Sequence, residues 1–168
     1  LKLEHLEDVV TPPYDIIDEK NQAAFQARNP YNMIHLDISK SPGKGDDSAE
    51  RYNSARNYFT KWPEEDILIR DDEPGFYLYR IDYKLASGLR FTRKGFIGLV
   101  KLSEFSEGIV KPHEQTFDTV TADRLRLMDT CQAQFSQIFS LYSDPEMQIM
   151  TALEAGCSEK PLYEVKDA

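Results

Sequence analysis

Cysteine is scarce in this sequence. Cys131 and Cys157 are the only two among 168 residues, 26 positions apart. Without CxxC spacing they supply neither a zinc ribbon nor a thioredoxin-type pair, and both are expected to be small buried residues. Long apolar runs are lacking as well. No stretch approaches the roughly 20 consecutive apolar residues of a spanning helix, and none has the layout of a signal peptide, so a cytoplasmic protein with no membrane partner is expected. Positive charge is in deficit: 20 Lys and Arg against 29 Asp and Glu leave a net charge of −9. That balance repels a phosphate backbone, and no nucleic-acid partner is expected. There is no internal repeat, low-complexity tract or linker.

What is present suffices for one core. Hydrophobic residues make up 40% of the chain, with nine Phe, nine Tyr and one Trp, and charged residues make up 29%. A chain of this length buries one core but scarcely two, so residues 1–168 are read as a single domain. The chain starts without methionine at LKLEHLEDVV and stops at PLYEVKDA, which reads as an incoming strand with no partner after it. The expectation is that part of a longer protein is missing.

Local patterns predict both kinds of element. Pro12 and Pro13 make TPPYD extended, and a helix follows from Asp18 as N-cap to Arg28, closed by Asn29-Pro30. MIHLDIS alternates, with Ile34, Leu36 and Ile38 on one face of a predicted strand and His35, Asp37 and Ser39 on the other. After the loop KSPGKGDD, Asp47 and Glu50 resemble a capping box for a helix with the stripe Tyr52, Ala55, Phe59 and Trp62, ended by Pro63. DILIR, GFYLYRIDYKL and GLRFTRKGFIGLVKL are predicted strands. The last two flank Ala86-Ser87-Gly88 and should form an antiparallel hairpin. A helix is predicted to start near Thr121, QIFSLYS is a further predicted strand, and Asp144-Pro145 opens a last helix that Gly156 stops. Without strict βαβ alternation, the fold class is α+β: a mixed, mainly antiparallel sheet with a central long hairpin and helices packed on it.

Chemistry concentrates in KPHEQTFDTVTADRLRL. His113 beside Glu114 is the minimum set for proton transfer near neutral pH, against the plain reading that both decorate a loop. HEQT lacks the second His one turn later, so an HExxH zinc site is excluded. Asp123 and Arg124, placed in the first turn of the predicted helix, combine free backbone amides with a bidentate donor, a natural anion site. The simpler alternative is a dipole-favouring Asp123 and a solvated Arg124. The prolines of TPPYD can present Tyr14 and Asp15 rigidly to a pocket, or only route the chain, and Asn32 of NPYN can bond a ligand or close a turn. SPGKGDD is not GxxxxGK[ST], which excludes a Walker loop. The ladder Tyr77, Tyr79, Ile81 and Tyr83 could stack bases, but the charge balance favours a packed sheet face.

VVTPPYDII, NPYNMIHLDI, GFIGLVKL, KPHEQT, DRLRL and FSQIFSLYSDP follow one another in an order and spacing that resembles the bacterial and archaeal family catalogued as domain of unknown function 1015. The resemblance implies a longer protein whose C-terminal half carries a Gly-His-His-Arg signature, similar to the phosphate-contacting motif of ParB and sulfiredoxin-like folds. It also marks Pro-His-Glu followed by Thr116 as a family hallmark. From residues and resemblance together, the expected function is the N-terminal part of a nucleotide- or phosphate-binding enzyme, a phosphotransferase, completed by that C-terminal half. His113 and Glu114 are its catalytic candidates; Tyr14, Asp15, Asn32, Asp123 and Arg124 its ligand-binding candidates; a nucleotide with Mg²⁺ its cofactor. No protein-bound metal is expected. The alternative is a non-catalytic binding or regulatory module.

Overall fold

The computed structural model describes residues 5–39, 49–157 and 160–165. These hold helices α1 (Glu19–Arg28), α2 (Ile34–Asp37), α3 (Ala49–Glu64), α4 (Asp118–Cys131) and α5 (Gln148–Ala155), and strands β1 (Tyr77–Lys84) and β2 (Arg90–Ile97). The strands pair antiparallel, so the fold is α+β. The chain gathers into two compact units: Leu1–Arg70 with Glu114–Gln137 and Tyr163–Ala168, and Asp71–His113 with Ile138–Leu162. Among the described residues, no helix is long and apolar enough to cross a membrane.

The first unit is helical. Asp18 caps α1 as expected, its carboxylate accepting from the Asn21 amide at 2.7 Å, and the helix ends at Arg28 before Asn29. The stripe on α3 buries Tyr52, Ala55 and Trp62, while Phe59 meets Phe135 edge-on at 5.2 Å. Tyr52 and Ala55 join Leu127 and Cys131 of α4 in one core cluster. Pro63 lies inside the last turn of α3 instead of ending it, since α3 runs to Glu64. The expected capping box at Asp47 falls outside the described residues.

MIHLDIS is not a strand. Asn32 accepts the Ile34 amide at 2.9 Å and donates to the Asp8 carbonyl at 2.7 Å, while the Met33 amide bonds the Val9 carbonyl at 2.8 Å. These bonds wind the segment into the single turn α2, which buries Ile34, Leu36 and Asp37 together. A short polar side chain bonding local backbone overrides the alternating pattern. DILIR is not a strand either: Asp66 adopts φ 57°, and the Ile67 and Leu68 amides fold back onto the Trp62 carbonyl.

The second unit contains the hairpin. Leu85 and Leu89 close it, Gly88 takes φ 88°, and Lys84 pairs with Arg90. This is a short loop with glycine at its left-handed position, as the sequence predicts. Register puts Tyr77, Tyr79, Ile81 and Tyr83 on one face with Ile97, Gly95, Arg93 and Phe91. The Tyr79 ring lies over Gly95, where a Cβ would come within 2.5 Å of it. On the other face, Phe96 meets Phe76 and Tyr142 edge-on, and Lys94 pairs with Glu154 of α5. GLVKL, QIFSLYS and the described part of PLYEVKDA form no strand. Asp144 does serve α5, but from further upstream than expected: its carboxylate accepts from the Gln148, Ile149 and Met150 amides at 2.9, 3.0 and 3.3 Å. Gly156 ends the helix. Cys131 is buried, but Cys157 is exposed, which corrects the expectation for that residue.

Candidate functional site

Three of the predicted ligand-binding residues meet in the first unit. The helix that carries two of them opens at Asp118, not near Thr121, so Asp123 and Arg124 lie in the second turn of α4 and not beside its free amides. From there the Arg124 guanidinium reaches Asp37 of α2, bonding its carboxylate at 2.7 Å and its carbonyl at 3.1 Å. Its Nε and Nη2 hold Asp123 at 2.9 and 2.6 Å, and the guanidinium carbon sits 4.3 Å from the centre of the Tyr14 ring.

The network continues inward. Asp37 accepts the Ser136 hydroxyl at 2.7 Å, and Asp123 accepts the Tyr52 hydroxyl at 2.7 Å and pairs with Arg51. Arg51 also stacks on the Tyr52 ring at 4.6 Å. Asp37 and Arg51 are both more than nine-tenths buried. Charges this deep persist only when paired and hydrogen-bonded, and here two carboxylates face two guanidiniums. Sequence reading missed Arg51, Tyr52 and Ser136 as members, and it placed Asp37 on a strand. A charged Asp37 between apolar Leu36 and Ile38 is the signal that was there to use.

Asn32 is fully buried and spends its side chain on Asp8 and Ile34, so it shapes the turn before α2. Asp15 is exposed in the short 3-10 turn Tyr14–Ile16. The His35 ring lies 4.9 Å from that of Tyr58, tilted by 39°, and its Nε2 is buried with no hydrogen-bond partner among the described residues. Burial pushes its pKa below the ordinary histidine value, more than the Asn29 and Gln26 carbonyls raise it.

His113 belongs to the second unit, and Glu114 begins a segment of the first. Both are exposed. The His113 Nε2 lies 3.2 Å from the Phe139 carbonyl. A carbonyl only accepts, so this nitrogen carries the proton, and in the neutral ring Nδ1 holds the lone pair. The face of the hairpin away from the tyrosine ladder carries a groove of about 480 Å³, lined by Thr92, Lys94, Tyr142, Asp144, Met147 and Met150. None of the seven candidate residues lines it. Among the described residues, no group of three or more His, Cys, Asp or Glu is placed to hold a metal ion.

A family model described as Protein of unknown function (DUF1015) matches residues 2–168. The chain belongs to that family. The match takes in both the Arg124 network and the His113 segment, so neither is an addition outside the family's span. Searches of curated proteins and of solved structures each gave no match.

Proposed function

We propose that this DUF1015 chain forms part of a nucleotide- or phosphate-binding enzyme, a phosphotransferase whose site a C-terminal half of the same protein completes. His113 contacts the phosphate, or takes the proton of an acceptor hydroxyl through Nδ1 as that oxygen bonds to the terminal phosphorus and the nucleoside diphosphate leaves, and Glu114 orients the imidazole. Mg²⁺ arrives with the nucleotide as part of the substrate. The supporting observation is the contact between His113 Nε2 and the Phe139 carbonyl, which orients the ring and favours the tautomer with its proton on Nε2. Pre-orientation of this kind is what proton transfer at a defined atom requires. Calorimetry of the protein including its C-terminal half, with nucleoside triphosphates and Mg²⁺, tests the reading. Binding that weakens in His113→Ala supports it; no binding, or binding indifferent to that change, rejects it.

One observation favours the second reading, a non-catalytic binding or regulatory module. Arg124, the strongest anion-binding candidate in the sequence, has its Nε, Nη1 and Nη2 all engaged by carboxylates. In that role Tyr14, Asp123 and Arg124 hold helices together and leave ligand binding to other surfaces.

A further inference from the structure

We infer that Arg93 is the phosphate-binding residue beside His113, and that the ligand is a nucleoside phosphate whose base lies on the aromatic face of the hairpin; this rests on the reading of His113 given above.

Two segments of the second unit converge on Phe139. Its carbonyl accepts from His113, and its ring lies 5.4 Å beneath the Arg93 guanidinium. Stacking on an aromatic face pre-orients the planar fork and costs little of its hydration, so less freedom is lost when it grips a phosphate. One residue thus positions both an imidazole and a guanidinium.

The hairpin register isolates that charge. On the face defined by Tyr77, Tyr79, Ile81, Tyr83, Phe91, Gly95 and Ile97, Arg93 is the sole ionisable group apart from the tyrosines. The charged residues of the strands, Arg80, Asp82, Lys84, Arg90 and Lys94, all lie on the opposite face. Arg80 there is bonded to Asp82, and Lys94 to Glu154, whereas no carboxylate among the described residues pairs with Arg93. A lone cation on an apolar sheet face is unfavourable for packing and suited to an anion.

Two residues from Arg93 along β2, about 7 Å, the Phe91 ring stacks with Tyr83 at 5.7 Å and 23°. Both rings are 44% exposed. They offer exposed aromatic surface within a ribose's reach of the guanidinium. Any base can stack on such rings, since each has a π-face, and an arginine fork supplies the complementary charge. The acidic balance of the whole chain disfavours a polymer of phosphates but not a single nucleotide held at one local cation.

The test measures binding of three probes, Mg·ATP, Mg·tripolyphosphate and adenosine, to the protein with its C-terminal half. Arg93→Met should weaken Mg·ATP and tripolyphosphate by about 10- to 100-fold and leave adenosine unchanged, with Arg93→Lys restoring part of the loss. Tyr83→Ser with Phe91→Ser should weaken Mg·ATP and adenosine but spare tripolyphosphate. Circular dichroism confirms that each variant is folded. If His113→Ala weakens Mg·ATP and Arg93→Met does not, the assignment of Arg93 is overturned while the reading of His113 stands. Loss in neither variant overturns both. If Arg93→Met acts but the aromatic variant changes nothing, the nucleotide assignment is overturned in favour of a phosphate-only site.

Discussion

Arg124 in the first unit and Arg93 in the second each lie over an aromatic ring, at 4.3 and 5.4 Å, yet the two placements do different work. Around Arg124 every nitrogen of the guanidinium meets a carboxylate, and the ring of Tyr14 covers a cluster whose members come from α2, α3 and α4. Around Arg93 the ring is the neighbour that orients the fork, on a strand face otherwise lined by tyrosine, isoleucine and phenylalanine. The same pair of groups thus serves cohesion in one region and display in the other. Accounting for every charge, more than counting charged residues, separates a structural arginine from one available to a ligand.

Substitution at the two arginines breaks that contrast most directly. Arg124→Met strands Asp37 and part of Asp123, and should cost about 3 kcal/mol, the low end for a broken buried pair because the guanidinium is 21% exposed. Arg93→Met should change stability by less than about 0.5 kcal/mol. Urea denaturation of both variants checks this, and equal losses would erase the distinction. Next in size is Gly95→Ala, whose new methyl drives the Tyr79 ring off the sheet and should cost about 1–3 kcal/mol, seen as a lower melting temperature. Asp144→Ala removes the acceptor for three amides at the start of α5 and should cost about 1 kcal/mol, read as faster amide exchange at Gln148, Ile149 and Met150.

The smallest effect belongs to pH. His35 has its folded pKa lowered by burial, so the unfolded chain takes up the proton first. Stability contributed by the neutral ring is complete above about pH 6.5, the unfolded value, and declines as pH falls from there towards the folded value. Denaturation midpoints at a series of pH values should show this decline in the native chain and a smaller slope in His35→Phe. A slope unchanged by that substitution would remove His35 from the account.

Elements set by adjacent residues were legible in the sequence. The Asp18 cap, the hairpin about Gly88 and the stop at Gly156 are read from chemistry within a few positions. MIHLDIS was misread because alternation over seven residues fits either a half-buried strand or one buried helical turn. The arbiter was Asn32, bonded to a backbone carbonyl 24 positions away. The site followed the same rule. Tyr14, Asp123 and Arg124 are all ligand-binding candidates in the sequence, the last two as an anion site, and they do meet. Their meeting as a saturated network depends on Asp37, 87 positions from Arg124 and beyond any local pattern. Arg93 was legible in principle, as a lone charge on the aromatic ladder, once the ladder was continued across the turn into β2.

The chain's single tryptophan, Trp62, lies buried in the first unit, and its one exposed thiol, Cys157, lies in the second. Burial raises the thiol pKa of Cys131, which suppresses the reactive thiolate and leaves Cys157 for selective attachment of a dye. Intrinsic fluorescence and a maleimide reporter therefore track the two halves of this architecture separately in one sample, without engineering either probe.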